Sequence, residues 1–107
     1  MSRMSAKILF VAIKPRRWCL LSNHGLVLVA ISQVPDDTVM GIVRRTHLHR
    51  ATVLRVLRDL EEAGMITINR QGRRNLYRID PAVALRHPIM RHIRVQDLLG
   101  AVAPEST

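Results

Sequence analysis

A chain of 107 residues has room for one folded domain with its own core, but not for a catalytic domain with a regulatory one beside it. Seventeen basic side chains against eight acidic ones leave a net charge of +9, which suits a polyanionic partner. Phe10, Trp18 and Tyr77 are its aromatic residues, so the core has to be aliphatic and there is little on which to stack single-stranded bases.

Residues 1–7 read as disordered. The apolar run from Ile8 to Ile13 is too short for a membrane span or a signal-peptide core, and suits either a short strand or part of a partner-docking helix. Lys14-Pro15-Arg16-Arg17 then reads as a loop or arm. The single cysteine, Cys19, has no partner for an internal disulfide, which fits a reducing cytosol. Ser22 or Asn23 is placed to cap a helix running to about Gln33. The stretch Leu26–Ile31 is apolar without gaps, so periodicity alone does not separate a buried helix from a buried strand. The cap, and the need of the next two helices for a third, favour helix.

Val34-Pro35-Asp36-Asp37 is a turn, because Pro35 holds the residue before it extended. A second helix is expected from about Val39 to Arg45, with Val39, Ile42 and Val43 on one side. Thr46-His47-Leu48-His49 forms the next turn, Leu48 plugging into the core. A third, longer helix covers Arg50 to Ala63 with Val53, Val56, Leu57 and Leu60 inward, and Gly64 stops it in the left-handed position. Arg55–Asp59 and Arg58–Glu62 are spaced to pair on its solvent face. Met65–Asn69 and Asn75–Ile79 alternate as strands around a tip of Arg70-Gln71-Gly72-Arg73-Arg74. Asp80-Pro81 ends the second strand, and residues 82–94 read as irregular around Pro88. A closing helix over Gln96–Val102 places Val95, Leu98, Leu99 and Val102 on one face.

Charge follows this layout. Residues 1–17 hold five basic side chains and no acid, and residues 44–78 hold nine arginines against three acids. The excess of arginine over lysine, fifteen to two, is what codon usage in a GC-rich genome would produce, but that explains a ratio and not a clustering. A helix with a basic outer face beside a basic hairpin has a definite physical use. The helix fits the DNA major groove and the hairpin the flanking backbone or minor groove. Arg50, Ala51, Thr52 and Arg55, near the start of the helix and off its apolar stripe, are then candidates for base edges: arginine for guanine, threonine or alanine for a thymine methyl. Arg58 is a candidate for a phosphate. Arg70, Gln71, Arg73 and Arg74 at the tip would reach phosphates or a narrow minor groove. Arg44 and Arg45 better suit the dipole at the end of the second helix, with phosphate contact as the other use. Lys7, Lys14, Arg16 and Arg17 are candidates for further contacts to the DNA backbone, with a solvated arm as the other reading.

The run L-H-R-A-T-V-x-R-V-L-x-D-L-E-E-A-G-M-I, Leu48 to Ile66, resembles the winged helix-turn-helix transcriptional regulators of the MarR and ArsR kind, with R-Q-G-R-R-N-L-Y-R-I as their wing. Arg17–Gly25 and the L-R-H-P-I segment from Leu85 are similar to small single-domain bacterial members. The resemblance implies an α+β, mainly α fold: a three-helix core, a β-hairpin wing and a short C-terminal helix. It implies a recognition helix at 50–63 and a wing at 65–79. The chain then divides into a basic arm at 1–16, the winged helix-turn-helix domain at 17–80, and an extension at 81–107 with a short helix; the apolar faces of 8–13, 18–21 and 95–102, without other obvious partners, are the candidate dimer surface. The resemblance also implies a homodimeric, cytoplasmic, nucleoid-associated regulator that binds double-stranded DNA, with no membrane association. Where such turns usually carry glycine, an apolar residue and then serine or threonine, this chain has His47, Leu48 and His49.

Two other readings share the same residues: a general, sequence-tolerant DNA binder of the nucleoid type, and a winged helix used for protein contact. Metal chemistry finds thin support, since the five histidines show neither i,i+4 helical spacing nor a cysteine pair beside them. No Gly-rich phosphate loop, H-E-x-x-H or C-x-x-C appears, so no enzyme activity and no cofactor is expected. A small-molecule effector stays open, with no residue pointing to one.

Overall fold

The computed structural model describes residues 20–103. Helix α1 covers Asn23–Gln33, with Ser22 as its N-cap and the Ser22 hydroxyl accepting from the Gly25 N–H. Its apolar run is explained by its neighbours, since α1 packs against the second, third and last helices of the fold. Val27, Leu28, Ala30 and Ile31 are buried there.

Helix α2, Val39–Thr46, begins at Thr38, whose Oγ1 accepts from the Gly41 N–H at 2.9 Å. It runs one residue past the expected end because Thr46 is buried and donates its hydroxyl to the Ile42 carbonyl at 2.7 Å. His47 then takes the left-handed conformation, φ 61° and ψ 25°. This is the position where a glycine would be unstrained. Leu48 packs against the core, as expected of the plug in the turn.

Helix α3, Arg50–Glu62, buries Val53, Val56, Leu57 and Leu60. It ends in a Schellman motif. Gly64, at φ 76°, donates to the Glu61 carbonyl and Met65 donates to that of Leu60, both at 3.0 Å. The chain is thereby turned directly into strand β1, Ile66–Gln71, which pairs antiparallel with β2, Arg74–Ile79. The strands run further than the sequence pattern suggests. Arg70 pairs with Asn75 and Gln71 with Arg74, so the tip shrinks to Gly72-Arg73 with Gly72 at φ 63°. The alternation of apolar residues fades at Asn69, but a backbone ladder needs no apolar side chains to continue.

The register puts Ile66, Ile68, Tyr77 and Ile79 on the face toward the helices, and Thr67, Asn69, Leu76 and Arg78 on the other. The outer edge of β2 is tied to the α1–α2 turn: the Tyr77 N–H donates to the Pro35 carbonyl at 2.8 Å, and Arg74 forms an antiparallel bridge with Thr38.

Residues 83–95 are more ordered than the pattern predicts. They close on themselves through an Ala84–Arg94 bridge, with Val95 donating to Val83 and Leu85 to Ile93, around a single 3-10 turn at Pro88–Met90. Helix α4, Val95–Val102, follows; Val95 is fully buried and Leu99 packs on the core. Among the described residues the architecture is mainly helical, three helices and a hairpin closed by a short fourth helix. No helix of the described residues is long and apolar enough to cross a membrane. The arm at 1–16, the run Ile8–Ile13, and Arg17, Trp18 and Cys19 lie outside the described residues.

Candidate nucleic-acid interface

Because α3 sinks Val53, Val56, Leu57 and Leu60 into the core, the residues three and four apart on its far side must face outward. These are Ala51, Arg55, Arg58 and Glu62, of which all four are exposed. Arg50, exposed, and Thr52, half-buried, flank the stripe at its N-terminal end. The outer face is therefore basic over its first half and acidic at its far end.

The expected Arg55–Asp59 and Arg58–Glu62 pairs do not form. Asp59 lies on the flank of α3 that faces α1, where its Oδ2 meets Nε2 of His24 at 2.8 Å. Glu61, on the other flank, lies 3.9 Å from Arg70 of β1. Asp59 leaves Arg55 for a partner across the fold, whereas Arg58 and Glu62, both exposed, have no such partner and still do not meet. Arg55 and Arg58 are thus left without a carboxylate among the described residues, which leaves their charge uncompensated.

The wing presents its arginines in three different ways. Arg73 sits exposed at the two-residue turn, with no side-chain bond among the described residues. Arg70 is on the helix-facing side, near Glu61. Arg74 donates from Nη1 to the Asp36 carbonyl at 2.9 Å. Gln71, opposite Arg74, is exposed. Arg78 is exposed on the outer face, and no pattern in the sequence distinguished it from a solvated strand position.

Of the two arginines ending α2, Arg44 is exposed in the last turn, where it complements the dipole. Arg45 is a strut instead. It donates to Oδ2 of Asp37 at 3.0 Å and to the Ala30 carbonyl at 2.7 Å, joining α2 to the end of α1. Spacing along one helix gave no sign of this, because the partners lie 8 and 15 residues away.

The N-terminus of α3 carries no side-chain cap among the described residues. His49 stands at the N-cap position without a side-chain bond, and the first turn has no acidic residue. The arrangement, a basic outward helix face with no acidic residue in its first turn, next to a hairpin with a cationic tip, offers donors to an anionic duplex.

No curated protein matches the chain. A model of the MarR family matches residues 20–74, from just ahead of α1 through the helix-turn-helix to the first residue of β2. That is just over half of the chain, and with the three-helix core and hairpin in place the protein belongs to the MarR family of winged-helix, DNA-binding transcription regulators.

Proposed function

We propose that the protein is a sequence-specific, double-stranded DNA-binding transcriptional regulator that acts as a homodimer. The observation that carries this reading is the outward stripe of α3. Arg55 and Arg58 have no acidic partner among the described residues, and the helix start ahead of them has no acidic residue in its first turn. In the major groove, Arg50, Ala51, Thr52 and Arg55 meet base edges while Arg58 reaches a phosphate. Arg70, Gln71 and Arg73 lie on the flanking backbone or minor groove, and Arg74 adds its charge to the same hairpin.

One α3 spans few base pairs, so sequence discrimination calls for two half-sites about 10 base pairs apart, read by two copies. The basic arm at 1–16 adds backbone contacts to the domain at 17–80. Residues 95–102 of the extension at 81–107, together with the apolar segments at 8–13 and 18–21, supply the dimer surface; Leu20 is exposed. The protein works in the cytoplasm, associated with the nucleoid, without enzymatic activity or cofactor.

The test is selection of random duplex DNA by the purified protein, followed by sequencing of what it retains. An inverted repeat is expected. Retention without a motif would replace this reading with a general DNA binder, and no retention at moderate salt would move the protein to the protein-contact class. Light scattering at micromolar concentration checks the assembly, and a monomer there would count against the dimer.

A further inference from the structure

The two carboxylates of the α1–α2 turn sort the arginines around them. Asp37 holds Arg45 between α1 and α2. Asp36 holds Arg74: its carbonyl accepts from Nη1 at 2.9 Å, and its carboxylate lies 3.9 Å from the same nitrogen. At this point the backbone of Arg74 also bridges Thr38, the N-cap of α2, and three residues on the Tyr77 N–H reaches Pro35. Arg74 is therefore fixed through main chain and side chain to the start of the helix-turn-helix. A phosphate approaching its guanidinium meets the Asp36 carboxylate in the same place, and that charge opposes it. Arg73, one residue earlier, has none of these ties.

We propose that Arg74 is a positioning residue. It fastens the outer edge of the wing to the α1–α2 turn, sets the angle at which Arg73 meets the DNA, and makes no phosphate contact itself. Its consequence for binding rests on the proposed function, while its cause lies in bonds within the fold.

The experiment compares the salt dependence of duplex DNA binding for the wild-type protein, Arg73→Gln and the double variant Arg73→Gln/Arg74→Gln. Each lost phosphate contact makes the log–log slope shallower by about 0.9. Arg73→Gln is expected to lose one such step, and adding Arg74→Gln to lose no full step more, because Arg73 is no longer there to be positioned and Arg70, the other cation of the wing, lies beside Glu61 of α3 and not at the edge that Arg74 holds. Alongside, amide hydrogen exchange of Tyr77 is followed in the free protein. Arg74→Gln alone is expected to speed it several-fold through local opening of the wing edge, and Arg73→Gln to leave it unchanged. A second step of about 0.9 in the double variant, or a Tyr77 amide that exchanges in Arg74→Gln at the wild-type rate, would overturn the proposal. If the wild-type protein bound no duplex at all, the proposed function would have failed, and the exchange rate alone would still decide whether Arg74 holds the wing.

Discussion

Asp37 and Arg45 meet at 3.0 Å across the mouth of the α1–α2 turn, and the other oxygen of the same carboxylate accepts from the Thr38 N–H at 2.8 Å. One side chain thus starts α2 and ties its end to α1. Gly41 lies directly under this carboxylate, and a methyl group added there would overlap it. Alanine is the better helix former by about 1 kcal/mol. We nevertheless expect Gly41→Ala to destabilise the protein by about 1–3 kcal/mol, since the carboxylate has to leave both partners. Urea unfolding measures the sign, and a stabilised variant would refute the role given to Asp37.

His47 holds a left-handed backbone with its side chain exposed and unbonded. A non-glycine residue there costs about 1–2 kcal/mol, and glycine gives back part of this through the greater freedom of its unfolded chain. His47→Gly should therefore stabilise the fold by about 0.5–1 kcal/mol. His47→Val, which is β-branched, should destabilise it by about 1–2 kcal/mol. Thermal unfolding of the pair checks both directions.

Arg55 stands in the middle of the outward stripe of α3 with no carboxylate to hold it among the described residues. Arg55→Ala is expected to weaken binding to the selected DNA site by about 1–3 kcal/mol, roughly ten- to a hundredfold, and to relax the preference at one base pair of each half-site. Titration against single-base variants of that site provides the measurement. An equal loss on every duplex would assign Arg55 to the backbone instead.

Tyr77 is buried, and burial pushes its phenol above the usual tyrosine range; the charge of Asp37 adds to this, while the Asn75 side chain, donating to Oη at 2.9 Å, and Arg70 pull the other way. The unfolded chain then loses this proton at a lower pH than the folded one. The stability linked to Tyr77 is complete below the ordinary tyrosine pKa and declines as pH rises from there toward the folded value. Unfolding followed through this alkaline window should show that decline in the wild-type protein and lose the part due to this group in Tyr77→Phe. As Tyr77 is the one tyrosine in the chain, tyrosinate absorbance reports its ionisation without overlap.

What the sequence made legible depended on neighbours three or four residues apart. Ser22, the apolar stripe of α3 and the Gly64 stop all act within a turn or two of helix, so their meaning is carried locally. The arginine-rich segments likewise announced a polyanionic partner. What stayed hidden was decided by parts of the chain that meet only after folding. Asp59 looked like a partner for Arg55 and went to His24, 35 residues away. Arg45 looked like a dipole partner and became a strut. The departure from glycine at His47 was visible as a letter, but the strained backbone that gives it meaning was not. The gapless α1 was ambiguous for a related reason: a helix enclosed by three others shows no polar face by which to tell its period.

The bond from Arg74 to Asp36 closes a loop of 38 residues, and within that loop successive elements are joined by short turns. The α2–α3 corner, the Schellman stop and the hairpin each form from contacts close in the chain, so their closure entropy is small. Seating the edge of β2 on the α1–α2 turn is, like the packing of α1 on α3 and α4, a step of high sequence separation, and it rests on few bonds. Held by few bonds and by exposed side chains, this edge is expected to open locally at a lower free energy than the helical core, with the hairpin itself still formed.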